Sequence, residues 1–310
     1  MQLIRGLHNI RQEHRACVAT IGNFDGVHLG HRAILKALKM EAQRRQVKAC
    51  VITFEPLPHE HFNSGEVPAR LITLREKLLL LEQCGIDQVL CLPFGDRLSN
   101  ISAEDFVQNI LADGLGIHYL IVGDDFRFGY GRKGNFSHLC EMGKQCGFEV
   151  NDTETVTQGC GRISSTRIRD LLKSGNLKSA GQLLGGPFTM VGRVRPGQQL
   201  GRTLGFPTAN IRVKHRILPM TGVFAVRVKM KGAAYDGVAN LGVRPTVTSS
   251  RPLLEVHLLD FRGDLYGMDL TVEFIEKLRS EQKFASLDAL RTAIAGDVEQ
   301  ARGIFGRKRN

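Results

Sequence analysis

The sequence predicts two domains of different class: an α/β domain on a parallel sheet, then a small antiparallel β-barrel or sandwich with a C-terminal helix. Two patterns lead to this reading. Through about the first 180 residues, apolar strand-like runs alternate with amphipathic helix-like runs, as in a parallel sheet covered on both faces. After "LKSAGQLLGGPF", short β-branched or alternating runs succeed one another between Gly, Pro and Asp turns. The junction falls near Gly185 to Pro187, giving domains 1–184 and 185–310.

In order, "CVATIG" predicts a strand, His31 to Gln46 an amphipathic helix and "KACVITF" the next strand. Thr73 caps "LREKLLLLEQC", with Glu76 completing a capping box and Gly85 as the stop. "QVLCLPF" reads as a strand, Ser102 caps a helix to about Ala112, and "HYLIVG" is another strand. Ser137 starts a helix ending near Gly147. The later strands are "FTMVGRV", "GVFAVRVKM", "AAYDGVANLG", "LLEVHLLDF" and "DLTVEFIEKL". Ser286 caps the last helix, with Leu287, Leu290, Ile294, Val298 and Ala301 on one face.

Composition narrows the class. Hydrophobic content of 42% with 24% charged residues is ordinary for a globular protein, and apolar runs such as "KLLLLE" are too short to span a bilayer. The start carries charges throughout, so a cytoplasmic location is expected. Seven cysteines without a CxxC pair read as reduced thiols, those at Cys17, Cys50 and Cys91 as small hydrophobes. The net charge of +11 fits a solvated basic surface or attraction of polyphosphate ligands. Aromatics are only 6%, with no basic stripe interleaved among them for stacking bases.

The densest chemistry lies in "GNFDGVHLGH", where a strand hands over to a helix. A helix N-terminus offers free N–H donors and a positive dipole end, which suits an anion. Gly30 lets a phosphate approach the backbone, while His28 and His31, three apart, point to one side and donate to phosphate oxygens. The plainer alternative is two surface histidines. "GRISSTRIRDLLKSG" then sets Ser164, Ser165 and Thr166 at a helix start, with Arg169 one turn in. One Ser would satisfy a cap; three hydroxyls and a guanidinium suit a leaving pyrophosphate. Between them, "GDDFRFGYGRKGN" is a Gly-rich loop whose Asp124 or Asp125 could hold metal, or simply turn the chain.

The second half has no GxxxxGK[ST]. In "GQQLGRTLGFPTANI", Gly201 and Gly205 give a backbone-exposing turn that could cradle phosphates or merely join strands. Thr208 and Asn210 point the same way in an extended segment, a hydroxyl and an amide oxygen suited to a hard cation when phosphates complete the shell. In "LLEVHLLDF", Leu254, Val256 and Leu258 share one face, and Glu255 and His257 the other. Glu255 is either a solvent-facing carboxylate or the base that a hydroxyl nucleophile needs.

With these stretches in view, the chain resembles the bacterial bifunctional riboflavin kinase/FMN adenylyltransferase (FAD synthetase) family. "GNFDGVHLGH", "GDDFRFGYGRKGN" and "ISSTRIR" resemble its adenylyltransferase half; "GRTLGFPTAN", "GVANLGVRPT", "EVHLLDFRGDLYG" and "LRSEQKFASLDAL" resemble its kinase half. The resemblance implies a Rossmann-like nucleotidyltransferase domain making FAD and pyrophosphate from FMN and ATP. It also implies a six-stranded barrel making FMN and ADP from riboflavin and ATP. It implies ATP contacts for Gly22, Asn23, Phe24, Asp25, His28, Gly30 and His31, and a second phosphate motif at Ser164, Ser165, Thr166 and Arg169. On the flavin side, "FEPLPHEHF" implies Phe54, Pro56 and Pro58, together with Phe128. In the kinase half it implies Thr208 and Asn210 for Mg²⁺ and ATP, Glu255 as base, and Asn240 and Arg279 as flavin contacts. Gly186 stands where the family pattern has Arg, and "VRPGQQ" replaces a His-Gly turn; neither removes a proposed ligand. Two rival readings are an RNA-binding protein with a nucleotidyltransferase-like domain, and an adenylyltransferase whose barrel only senses flavin.

Overall fold

The computed structural model describes residues 1–62, 67–123, 125–153, 156–158, 161–197, 200–245 and 250–307. The chain divides into two compact units. The first comprises Met1–Pro68 with Leu74–Ser164, and the second Ala69–Thr73 with Ser165–Asn310.

The first unit begins with β1 (Gln2–Arg5), β2 (Cys17–Ile21), α1 (Leu29–Arg45), β3 (Lys48–Glu55) and α2 (Pro58–Phe62). α3 (Leu74–Gln83), β4 (Gln88–Pro93), α4 (Asp96–Ser99) and α5 (Ala103–Phe106) follow, the last continuing as a wider π-type coil over Val107–Leu115. β5 (Tyr119–Gly123), α6 (Phe136–Cys146), β6 (Glu149–Thr153) and the short pair β7 (Thr157–Gln158) and β8 (Gly161–Arg162) complete it. Six strands pair in parallel in the order β1-β4-β3-β2-β5-β6. β2 is buried along its whole length, including Cys17. That explains why it reads as an unbroken apolar run rather than an alternating one. The chain order reverses on either side of β2, whose neighbours are β3 and β5. A doubly wound sheet binds ligands at the carboxyl ends of its strands at such a reversal, and Gly22 to His31 lies there.

Local differences from the sequence reading have physical causes. α1 starts at Leu29 because His28 itself is the cap. α6 is capped by Asn135, whose side chain accepts the His138 N–H, so Ser137 falls inside the helix. The Ser102-capped helix runs past Ala112 to Leu115, since the π-type turns keep Ile110, Leu111 and Leu115 in the core.

The second unit contains α7 (Ser165–Lys173) and α8 (Leu177–Leu184), followed by β9 (Thr189–Arg195), α9 (Leu200–Thr203) and β10 (Ala209–Ile211). β11 (Gly222–Met230), β12 (Ala233–Pro245), β13 (Ser250–Leu258), β14 (Asp269–Arg279) and α10 (Leu287–Arg307) end the chain. The six strands form a closed antiparallel barrel, β10-β13-β12-β11-β14-β9, so no edge is left to pair with another chain. Phe224 and Phe274 meet edge-to-face inside it at 5.3 Å. α10 buries Val298, Ala301, Ile304 and Phe305 against Val223, Ala225 and Val238. Ser286 caps it through the Ala289 N–H, but Leu287 is 58% exposed, so the apolar face begins one turn later than its spacing predicts.

Gly129 tests the packing of the Gly-rich loop. Its φ is 72°, and a Cβ there would lie 2.7 Å from the Ala103 nitrogen. Gly129→Ala is expected to cost about 2–4 kcal/mol, combining left-handed strain with overpacking, and to lower the denaturation midpoint of the first unit accordingly.

Candidate active sites

The turn after β2 is unusual in its backbone. Phe24, Gly26 and Val27 have φ of 47°, 93° and 39°, a left-handed run that non-glycine residues rarely adopt. Packing holds it: Phe24 is buried against Gly22, where a Cβ would come within 3.1 Å of its ring. Asp25 is buried as well, and Asn23 lies exposed at the tip. The turn delivers His28 to the N-cap of α1, where Nδ1 accepts the His31 N–H at 3.3 Å. In the neutral ring the His28 proton therefore sits on Nε2.

His28 and His31 stack with ring centres 3.6 Å apart and 14° between planes. The Phe24 ring lies 5.0 Å from His31 on a tilt. A Cβ at Gly30 would meet the His28 ring at 3.3 Å and the Ile163 carbonyl at 3.5 Å, so "HLGH" and the start of "ISSTRIR" meet within the first unit. Ser164 closes that unit, while Ser165, Thr166 and Arg169 belong to α7 in the second. Arg169 Nε donates to the Ala69 carbonyl at 2.6 Å.

Burial, His28 and the Lys77 charge together hold the His31 imidazole well below its ordinary range, and its Nδ1 is buried without a protein partner. Lys77 was not foreseen. It is 2% exposed on α3, and its Nζ donates to Thr53 Oγ1 at 3.1 Å. Thr53 Oγ1 in turn donates to the Asn23 carbonyl at 3.4 Å. Lys77 follows Arg75 and Glu76 in the sequence, so no signal there marked it for burial.

The flavin-side expectations land in different settings. Phe54 is half-buried and packs edge-on against Phe94 at 5.7 Å; Phe62 meets the same ring at 5.7 Å. Pro56 follows a cis peptide bond and is exposed, and Pro58 begins α2. Phe128 is buried in the core beside Phe106 and Phe126. Asp125 accepts from Arg162 at 3.0 Å; Asp124 lies outside the described residues.

In the second unit a cavity of ≈ 250 Å³ gathers Gly201, Thr208, Asn240, Glu255 and Arg279. The barrel register explains this convergence. Arg279, Val223, Asn240, Glu255 and Asn210 are successive cross-strand partners in one row over β14, β11, β12, β13 and β10. Partners in such a row project to the same side of the sheet. Leu254, Val256 and Leu258 are buried on the opposite side, as the alternation predicts, while Glu255 and His257 are half-buried.

Asn210 lies flat on Gly197, and Gly205 supplies a left-handed turn at φ 88°. Neither is among the residues lining the cavity. Gly201 is needed for close approach, since a Cβ there would come 2.4 Å from the Phe206 carbonyl. The sequence assigned no role to His257, Glu281 or Asp297. His257 Nδ1 donates to the Pro207 carbonyl at 2.9 Å, steadying the segment that carries Thr208. Burial raises the Glu281 carboxyl above its ordinary value, opposed by a hydrogen bond from Asn240. Asp297, 5% exposed on α10, accepts both Nε and an Nη of Arg279 at 2.9 and 2.8 Å.

Comparisons with known proteins match both halves of the chain. The profile described as FAD synthetase matches residues 10–167, and the one described as riboflavin kinase matches 184–305. The bifunctional riboflavin kinase/FMN adenylyltransferase of Pseudomonas fluorescens is 52% identical over 305 residues, covering 98% of each chain. That of Escherichia coli K12 is 49% identical over 308 residues, covering 99% of this chain and 98% of its own. A solved structure titled macrolide-efflux protein from Streptococcus pneumoniae superposes with a TM-score of 0.83 at 28% identity, covering 97% of this chain and 99% of its own. Among the described residues, no helix is long and apolar enough to cross a membrane. The chain belongs to the bifunctional riboflavin kinase/FMN adenylyltransferase family.

The low His31 value has a consequence for stability. The unfolded chain takes up that proton near pH 6.5, and the folded chain only at lower pH. Stability is therefore full above about pH 6.5 and falls on acidification by up to about 1.4 kcal/mol per pH unit. Denaturant titrations of the first unit between about pH 7.5 and 5.5 should show this slope, and His31→Gln should flatten it.

Proposed function

We propose a residue-level division of labour for this bifunctional riboflavin kinase and FMN adenylyltransferase, with the functional boundary at 184/185. In residues 1–184, His28 and His31 at the start of α1 hold the triphosphate of ATP, with the backbone from Gly22 to Asp25 and Gly30 beside them. Ser164, Ser165, Thr166 and Arg169 take the departing pyrophosphate. Phe54, Pro56, Pro58 and Phe128 remain the proposed flavin side, with Phe128 acting from within the core.

The attacking group is a phosphate oxygen of FMN, already ionised near neutral pH, so this step needs no protein base. Its requirements are alignment and neutralisation of the charge on the α-phosphate. His28 meets them by donating from Nε2 while Nδ1 anchors the helix start.

The kinase step differs because its nucleophile is a riboflavin hydroxyl. Glu255 accepts that proton as the oxygen attacks the γ-phosphorus of ATP. Asn240 and Arg279 contact the flavin, and Gly201 and Gly205 admit the phosphates. Thr208 and Asn210 fit Mg²⁺: both offer neutral hard oxygens, Asn210 is register partner to Glu255, and phosphate oxygens complete the shell. When bound, the ion neutralises charge on the transferring phosphoryl group.

What supports the reading is that each half matches its own family profile, and that the cavity of the kinase half carries the Glu255 carboxylate beside the Thr208 hydroxyl and the Asn240 amide. We place the enzyme in the cytoplasm, with riboflavin, FMN and ATP as its partners and no nucleic acid or membrane surface.

Separating the flavins formed from riboflavin, ATP and Mg²⁺ tests the assignment. Glu255→Gln should lower FMN formation by about 10²–10⁴-fold and leave FAD formation from supplied FMN intact. The double variant His28→Ala/His31→Ala should do the reverse, stopping pyrophosphate release while FMN still accumulates. Loss of both steps in either folded variant would refute the division.

A further inference from the structure

We propose that Lys77 is a positioning residue of the adenylyltransferase step: it fixes Asn23 through Thr53 and holds a positive charge near His31 until the triphosphate arrives. The inference rests on the reading of His28 and His31 as ATP holders.

Burying an ammonium is costly unless its hydrogens are satisfied, so a lysine 2% exposed within an apolar helix face calls for a reason. Packing does not supply one, because leucine would fill the same space without the cost. Geometry does. Lys77 Nζ donates to Thr53 Oγ1 at 3.1 Å, leaving the hydroxyl hydrogen for the Asn23 carbonyl at 3.4 Å. A three-link chain thus runs from α3 through β3 to the tip of the left-handed turn. A neutral acceptor on α3 could not polarise the Thr53 hydroxyl in that direction.

The second effect is electrostatic. The titratable groups acting on His31 are His28 from the cap and Lys77 from α3, both opposing its protonation. Asp25 in the turn and Glu76 on α3 are also buried. Two stacked imidazoles at 3.6 Å could not both be cationic at low cost, and burial first, then the neighbouring His28 and Lys77, hold His31 to its neutral form before ATP binds. A polyphosphate reverses the field and makes the same lysine favourable. Lys77 thereby favours the bound state without offering the free enzyme a salt bridge to the histidines that ATP would have to break.

The test reads His31 directly by NMR titration of histidine-labelled protein without substrate, alongside ATP kinetics of FAD formation. Lys77→Met should raise the His31 titration midpoint, move the acid limb of the FAD-formation profile the same way, and lower kcat/KM about tenfold. Lys77→Arg, which keeps the charge, should return the midpoint to the parental value; a merely structural lysine predicts no such rescue. An unmoved midpoint in a folded Lys77→Met protein would overturn the proposal. Should that variant fail to fold, Thr53→Val decides: the proposal expects the ATP KM of FAD formation to rise several-fold with the kinase step unchanged, and an unchanged KM refutes it. If instead FAD formation survives loss of both histidines, the ATP-holding reading falls while the Lys77–His31 coupling, read without turnover, still stands or falls by the titration.

Discussion

The proposed ATP-holding turn depends on one hydrogen bond, from the His31 backbone N–H to Nδ1 of His28. It makes the side chain that begins α1 also the side chain proposed to hold the triphosphate. An N-cap serine would satisfy the same N–H but offer only a short hydroxyl in return. An imidazole satisfies the helix with one nitrogen and keeps the opposite nitrogen as a donor, at a distance fixed by the ring. Gly30 keeps that ring close, because a Cβ there would come within 3.3 Å of it. The left-handed turn before it follows too, since only a sharp reversal after β2 brings a residue into capping position with its ring over the strand ends.

The two halves solve phosphate transfer under different constraints. An anionic nucleophile has to be brought against another anion, so the first site is dominated by donors and positive ends of dipoles. A neutral hydroxyl has to lose a proton, so the second includes a carboxylate. That carboxylate sits in a row of cross-strand neighbours whose position is set by barrel closure. Shifting β13 by one residue would exchange Glu255 with Val256 and turn the proposed base away from the cavity. Register, more than any single contact, therefore protects the kinase chemistry.

Much of this was legible in the sequence because motif and element boundaries coincide. The apolar run before "GNFDGVHLGH" and the helix-like run after it located the site at a sheet edge, and the alternation around Glu255 separated its two faces correctly. Other parts were hidden for definite reasons. Linear spacing cannot reveal that Arg279, Asn240 and Asn210 share a row, because their strands are distant in the chain and meet only when the barrel closes. Lys77 looks like an ordinary polar position in an amphipathic helix; its burial depends on how α3 packs over β3. Asn135 displaced Ser137 as a cap because both residue types cap well and the backbone decides between them.

The Arg279–Asp297 pair shows how the last helix enters the kinase chemistry. A nearly buried carboxylate is tolerable only when its oxygens are matched, and the Arg279 guanidinium matches both. The same guanidinium lies 5.5 Å from the Phe284 ring, in the segment joining β14 to α10. Its side chain thus ties together the end of a barrel strand, the connecting segment and the helix, and all three line the cavity. Removing the helix would open one wall and leave Arg279 without its carboxylate partner. α10 is therefore part of the active-site wall as well as a cover for the apolar outer face of the barrel, which accounts for an acidic residue on its buried side at the point where a leucine would pack equally well.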